Sequence, residues 1–169
     1  MENKLFIGTN NNSNMLNNKL GIVYRDNILL KDRNLKENLK FILNIKNPPV
    51  FSRYRRINKI LNIVDLDYCT ELNPEELNSH QLIRANLAQA LLSIPDILIL
   101  EDPFYKLDEL NHRSLVKALK NIVNKLSITI LLLTTDTSKR IPEKYYYKMI
   151  TINKGEIRTV QNKKSKIFN

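Results

Sequence analysis

The sequence predicts an α/β fold with parallel strands, and three observations carry that prediction. Ile97-Leu98-Ile99-Leu100 and Ile128 to Leu133 are continuous apolar runs of strand length. Between them, Leu115, Ala118, Leu119, Ile122, Val123 and Leu126 recur at helical spacing. The first run stops abruptly at Glu101-Asp102-Pro103. Apolar runs without alternation are the pattern of buried strands, and a strand, helix, strand order returns a parallel pair.

The remaining elements follow from local signals. Lys4 to Thr9 reads as a short strand, Asn10 to Asn14 as an Asn-rich turn, and Leu20 to Tyr24 as a second strand. Asn34 with Glu37 has the spacing of a capping box, opening a helix through Leu43. Pro48-Pro49 ends that region before Arg53 to Val64 resumes helical spacing at Ile57, Ile60, Leu61 and Val64. From Ser79 a helix carries Leu82, Ile83, Leu87, Ala90 and Leu91 toward Pro95, and a further helix runs from about Leu110 to Leu126. Lys148 to Ile152 and Glu156 to Val160, joined by Asn153-Lys154-Gly155, read as a C-terminal hairpin. The expected organisation is one domain over 1–160, with a helical subdomain at about 34–93 and a loose basic tail at 161–169.

Composition narrows the function classes. A chain of 169 residues with 43% apolar residues is long enough for one real core. No apolar run approaches the roughly 20 residues that cross a bilayer. The N-terminal stretch has neither the apolar segment nor the cleavage site of a leader, so a cytoplasmic location is expected. One cysteine, Cys69, and two separated histidines, His80 and His112, give neither an internal disulfide nor a zinc pattern. The net charge of +10 is spread along the chain, with local clusters only at Arg53 to Arg56 and Lys163 to Lys166. That distribution reads as solvated surface, with a nucleic-acid-binding module as the rival.

Glu101 and Asp102 close a buried parallel strand, and open α/β sheets bind ligands at that end of their strands. Acids in this position serve hydrolytic NTPases by holding Mg²⁺ and directing the attacking water. The run LNSHQLIRANLAQALLSIPDILILEDPFYKLD, Leu77 to Asp108, resembles in unbroken register the signature motif, helix, Walker B strand and D-loop of ABC-type ATPase subunits. Leu20 to Leu43 is similar to the Q-loop segment of one of them, the cell-division ATP-binding protein FtsE. Leu132 to Asp136 falls at the switch motif, and Lys154-Gly155-Glu156-Ile157 at a late turn and strand. The resemblance implies a P-loop NTPase fold, ATP and Mg²⁺ as cofactors, and a membrane-protein partner.

Departures from the family pattern lie at the polar positions. The only glycines are Gly8, Gly21 and Gly155, and no Gly-Lys-Ser or Gly-Lys-Thr occurs. The chain is expected to begin after the point where the family's phosphate-binding loop lies. Four missing charge-assisted hydrogen bonds amount to about 6 kcal/mol or more, roughly four decades of affinity. By the resemblance, Asn78, Ser79, His80 and Gln81 stand at the signature, where His80 is bulky in place of glycine. Glu101 and Asp102 reverse the family's acid order, Thr135 replaces the switch histidine, and Arg25 replaces the Q-loop glutamine. Only Asp108 of the D-loop matches.

The expectation is therefore a degenerate, non-hydrolysing ABC subunit that binds no cofactor, peripheral at the inner face of the cell membrane. Its partner would be an integral membrane protein, FtsX-like or a transporter permease, docked on Arg25 to Arg56, and a homo- or heterodimer is compatible with it. One alternative is an ATPase subunit lending a signature face to a heterodimer that binds ATP. Another is the basic module, for which no recognition motif or aromatic platform exists, so nucleic acid is not the expected partner. A last alternative is a product without a role.

Overall fold

The computed structural model describes residues 2–8, 19–46, 50–134, 148–153 and 156–161. In chain order the elements are β1 (Glu2–Gly8), β2 (Leu20–Val23), α1 (Leu35–Lys46), α2 (Val50–Val64), α3 (Ser79–Leu91), β3 (Ile97–Glu101), α4 (Glu109–Leu126), β4 (Thr129–Thr134), β5 (Lys148–Asn153) and β6 (Glu156–Gln161). Two single 3-10 turns, Asp67–Cys69 and Pro74–Glu76, fill the passage between α2 and α3. The Asn10–Asn14 turn, Lys154 and Gly155 of the hairpin loop, and residues 162–169 of the tail lie outside the described residues.

The strands form one sheet in the order β2-β3-β4-β1-β5-β6. β2, β3 and β4 are parallel, as the apolar runs require, with Ile22 opposite Ile99 and Ile99 opposite Leu131. Asp96 gathers the starts of all three. Its backbone N–H donates to Lys19 O at 2.8 Å, its Oδ2 accepts from Lys19 N at 2.8 Å, and its carbonyl accepts from Thr129 N at 2.9 Å. β1 runs antiparallel to both β4 and β5, pairing Lys4 with Thr134 and Glu2 with Asn153, and β5 and β6 form the closing hairpin.

Helix ends obey local chemistry. Asn34 Oδ1 accepts from Glu37 N at 2.9 Å while Asn34 N donates to Glu37 Oε2 at 3.1 Å, the reciprocal capping box read from the sequence. α1 then buries Leu35, Leu39 and Leu43, one per turn. α4 starts on Asp108 as N-cap and ends at Ser127, whose φ of 53° turns the chain out of the helix. α2 packs on α3 and α4, α1 on α2 and α3, α3 on β2, and α4 on β4.

Val23, Leu98, Leu100, Ile130 and Leu132 join the helices in one core cluster. The alternate positions behave differently. Ile97, Ile99 and Leu131 are only half-buried, and Leu20, Ile22 and Leu133 are 58%, 42% and 43% exposed. Among the described residues the parallel layer is thus fully covered on one face and only partly on the other, where its apolar runs predict strands covered on both. A continuous apolar run shows that both faces are apolar, and not that both are occupied. Gly21 sits on the covered face, where a Cβ would come within 3.1 Å of Leu98 Cδ1 and Pro95 Cγ, so β2 approaches the α3–β3 turn more closely than a side chain permits.

Candidate functional site

β3 delivers its two acids in different directions. Side chains alternate along a strand, so Glu101, exposed and opposite Leu133, lies at the open face of the sheet. Asp102 leaves the strand with φ at 41°, a left-handed conformation that Asp tolerates better than most residues. Its N–H donates to Leu133 O at 2.8 Å, and its carbonyl accepts from Tyr105 N at 3.0 Å, closing the turn over buried Pro103 and Phe104.

Arg25 follows the end of β2 and enters the same place. Its Nη1 lies 3.8 Å from Asp102 Oδ2, and its guanidinium carbon sits 3.6 Å above the centre of the Tyr105 ring. The Asp102 side chain is 12% exposed and that of Arg25 39%. A cation stacked on an aromatic face and paired with a carboxylate is held from two sides, each contact worth on the order of 0.5–1 kcal/mol at partly exposed sites. Mg²⁺ needs near-octahedral oxygen donors, and here the less exposed acid already faces a guanidinium. At Asp102 the guanidinium opposes a second cation, whereas Glu101, which the resemblance puts at the metal-linked position, is exposed.

A second group forms at the start of α3. Asn78 is the N-cap: its Oδ1 accepts from Gln81 N at 2.9 Å, and its own N–H donates to Gln81 Oε1 at 2.9 Å. Both side chains are occupied with closing the helix end, and Gln81 Nε2 also donates to Tyr68 Oη at 3.3 Å. Ser79 is exposed. His80 is half-buried, and its Nε2 accepts from Arg84 Nε at 2.8 Å, which requires a neutral imidazole with its proton on Nδ1. Burial, with the Arg84 charge second, holds the His80 pKa below its usual value against the opposing pull of Asp65 and Asp108.

Asp108 caps α4. It accepts from Asn111 N at 2.8 Å and from Asn111 Nδ2 at 2.7 Å, and the first of these bonds is the main cause holding its carboxyl below the ordinary range. The structure therefore brings together Arg25 and Asp102, and separately Asn78, Gln81, His80 and Asp108. Thr135 lies outside the described residues. Two participants were missed as site residues, Tyr105 and Arg84. Tyr105 carried a weak signal, an aromatic inside the acidic turn. Arg84 carried a stronger one, a lone charge on the apolar side of a helix.

One prediction follows from His80. The unfolded chain takes up a proton near pH 6.5 that the folded chain resists, so stability is full above that value and falls as pH drops below it. Denaturant midpoints measured from pH 7.5 to 5 are expected to decrease, and His80→Gln to flatten that decrease. An unchanged slope in the variant would remove His80 as the cause.

No protein-family model matches the chain. Among curated proteins it is similar to the methionine import ATP-binding protein MetN of Protochlamydia amoebophila, with 29% identity over 141 residues, 82% of this chain and 40% of that protein. MetN 3 of Pectobacterium atrosepticum is 32% identical over 125 residues, 73% of this chain and 36% of that protein. The sulfate/thiosulfate import ATP-binding protein CysA of Methylococcus capsulatus is 28% identical over 84% of this chain and 41% of its own length. The chain thus spans about two fifths of these relatives. In fold it matches cbiO1 of Clostridium perfringens, part of the ABC transporter complex cbiONQ, with a TM-score of 0.76, 23% identity, and coverage of 85% of this chain and 57% of that one. It also matches the ATP-binding cassette MJ0796, solved in a post-hydrolysis state bound to ADP and Pi, with a TM-score of 0.70, 22% identity, and coverage of 86% and 64%. By sequence the chain is similar to the ATP-binding proteins of import systems, and by fold it holds part of the P-loop NTPase fold of ATP-binding cassettes.

Proposed function

We propose that this chain is a degenerate ATP-binding-type subunit that docks on a membrane permease, peripheral to the membrane, and does not hydrolyse ATP by itself. The observation that carries this reading is Arg25, whose guanidinium stands against Asp102, the acid that the family resemblance puts at the general-base position. Magnitudes rank the causes. The contacts of Arg25 amount to about 1–2 kcal/mol, roughly tenfold in affinity, whereas the absence of a phosphate-binding loop from these residues amounts to about four decades. Arg25 engages the acid at the general-base position, and the absent loop dominates the loss for nucleotide.

Docking has its own support. Within Arg25 to Arg56, Ile28, Leu30, Phe41, Ile45 and Tyr54 are large apolar or aromatic side chains at 36% exposure or more. Such a concentration on one segment marks a contact surface. The relatives named above are import proteins, which favours a permease of an import system over an FtsX-like protein of cell division. The narrower FtsE-like reading rests on Leu20 to Leu43 alone. Removing the whole segment would also remove the core residues Leu35, Leu39 and Leu43, so the test uses exposed positions. In cell fractionation, Ile28→Asp with Ile45→Asp is expected to shift the folded chain from the membrane fraction to the supernatant. Retention in the membrane fraction would sink the docking reading.

The half-open parallel sheet favours a second reading, a partner chain that covers Leu20, Ile22 and Leu133 and brings a phosphate-binding loop. In that case a complemented ATPase assay would respond to His80→Gly, and no response would count against it.

A further inference from the structure

At the opposite end of the parallel strands from Arg25 and Asp102 lies a cavity of about 300 Å³. Pro95 lies two residues before β3 and Ile128 directly before β4, and both line it, so it is separated from the candidate site by the length of a five-residue strand, roughly 16 Å. Its two kinds of lining are segregated by burial. Ile60, Leu91 and Ile128 are 4%, 1% and 4% exposed and form the floor, with half-buried Leu126 beside them. Arg55 and Lys59 are exposed and Arg56 half-buried, all on α2, and they bring three cations to the mouth. No acidic side chain is among the described residues that line it.

A second feature points to the same mouth. Ile94 lines it with φ at 51° and is 57% exposed. A β-branched residue is a genuine outlier in the left-handed region, and a large apolar side chain gains nothing by facing water. Ile94 N is held by a bond to Leu91 O at 3.0 Å, so the turn fixes an apolar lip over the floor.

We propose that this cavity binds an amphiphilic anion, an acyl chain ending in a carboxylate or phosphate. The apolar floor takes the chain and the α2 cations take the head group. A peptide is the poorer occupant, because the floor offers carbon. Pro95 has no N–H, the Leu92 carbonyl already accepts from Arg56 Nη1 at 3.3 Å, and a peptide backbone drawn onto such a floor would lose hydrogen bonds that an acyl chain does not have. The inference stands independently of the reading of the nucleotide site.

The test is a calorimetric titration of the full chain with sodium dodecanoate and sodium butyrate, both below micelle-forming concentrations. It is run beside sedimentation with phosphatidylcholine vesicles, with and without phosphatidylglycerol. Dodecanoate is expected to bind one to one, and butyrate at least about tenfold more weakly, since the longer chain buries more apolar surface. Arg55→Gln with Lys59→Gln, both at exposed positions, should leave the circular dichroism unchanged and weaken dodecanoate at least about tenfold. Variant-sensitive binding to phosphatidylglycerol vesicles would name a membrane lipid as the source, and its absence a free amphiphile. The proposal is overturned by no saturable dodecanoate binding, by equal affinity for butyrate, or by indifference to the double variant. Displacement of dodecanoate by a Glu/Leu helical peptide of higher affinity would likewise overturn it, in favour of a protein partner.

Discussion

Arg84→Ala is expected to lower the free energy of unfolding by about 3 kcal/mol, the largest effect of any single polar substitution in the described structure. Arg84 is 3% exposed and lies at the junction of α2, α3 and α4. Its Nη1 donates to Val64 O at 2.6 Å, its Nη2 to Ser114 Oγ at 2.9 Å, and its Nε to His80 Nε2 at 2.8 Å. Alanine leaves the Val64 carbonyl without this donor and opens a void where the guanidinium stood. The ion pair with Asp65 at 3.5 Å contributes little of this, because the Asp65 side chain is 78% exposed and rehydrates when the arginine is gone. A chain of this length should lose about 6–12 °C in thermal midpoint. Arg84→Lys, which keeps the charge without the fork, should fall between. A loss under about 1 kcal/mol in chemical denaturation would mean the junction is held by packing alone.

Asn38→Leu is expected to cost about 2–3 kcal/mol although leucine is a better helix former. Asn38 is 1% exposed and acts as a clamp for the loop after β2. Its Oδ1 accepts from Leu30 N at 2.7 Å, and its Nδ2 reaches the carbonyls of Leu30, Arg33 and Asn34 at 3.0, 2.9 and 3.0 Å. Leucine of similar size fills the space and strands the Leu30 donor. The loop so fixed carries Ile28 and Leu30 and begins beside Arg25, so hydrogen exchange should speed up from Asp26 to Asn34 before the core is affected. Slow exchange there in the variant would contradict the clamp.

How far the molecule is legible from its residues depends on the range of the interaction. α3, β3, α4 and β4 are readable because periodicity, caps and Pro95 are local, and their ends fall within a few residues of the expected ones. α2 begins at Val50, directly after Pro49 and ahead of the expected Arg53, because a proline tolerates a helix that starts beyond it. The position of β1 is not readable. Its pairing with β4 and β5 spans most of the chain, and no local pattern states whether a strand enters a sheet at the edge or inside it.

The site divides the same way. Asn78 and Gln81 could have been recognised as a capping box three residues apart, and Asp108 with Asn111 as an N-cap, since both motifs are local. The meeting of Arg25 with Asp102 and Tyr105 joins residues nearly eighty positions apart, and only the parallel register of β2 and β3 creates it. The incomplete cover that the described residues give one face of β2, β3 and β4 is also invisible to a pattern that records apolarity and not occupancy.

Calorimetric titration of the folded chain with Mg-ATP tests the central claim most directly, with circular dichroism confirming the fold. The account predicts no saturable binding up to about millimolar nucleotide, and Arg25→Gln recovering no more than about tenfold, because the absent loop outweighs the misplaced cation. Micromolar binding by the unaltered chain would contradict it, and would mean that phosphate is held by residues other than a glycine-rich loop.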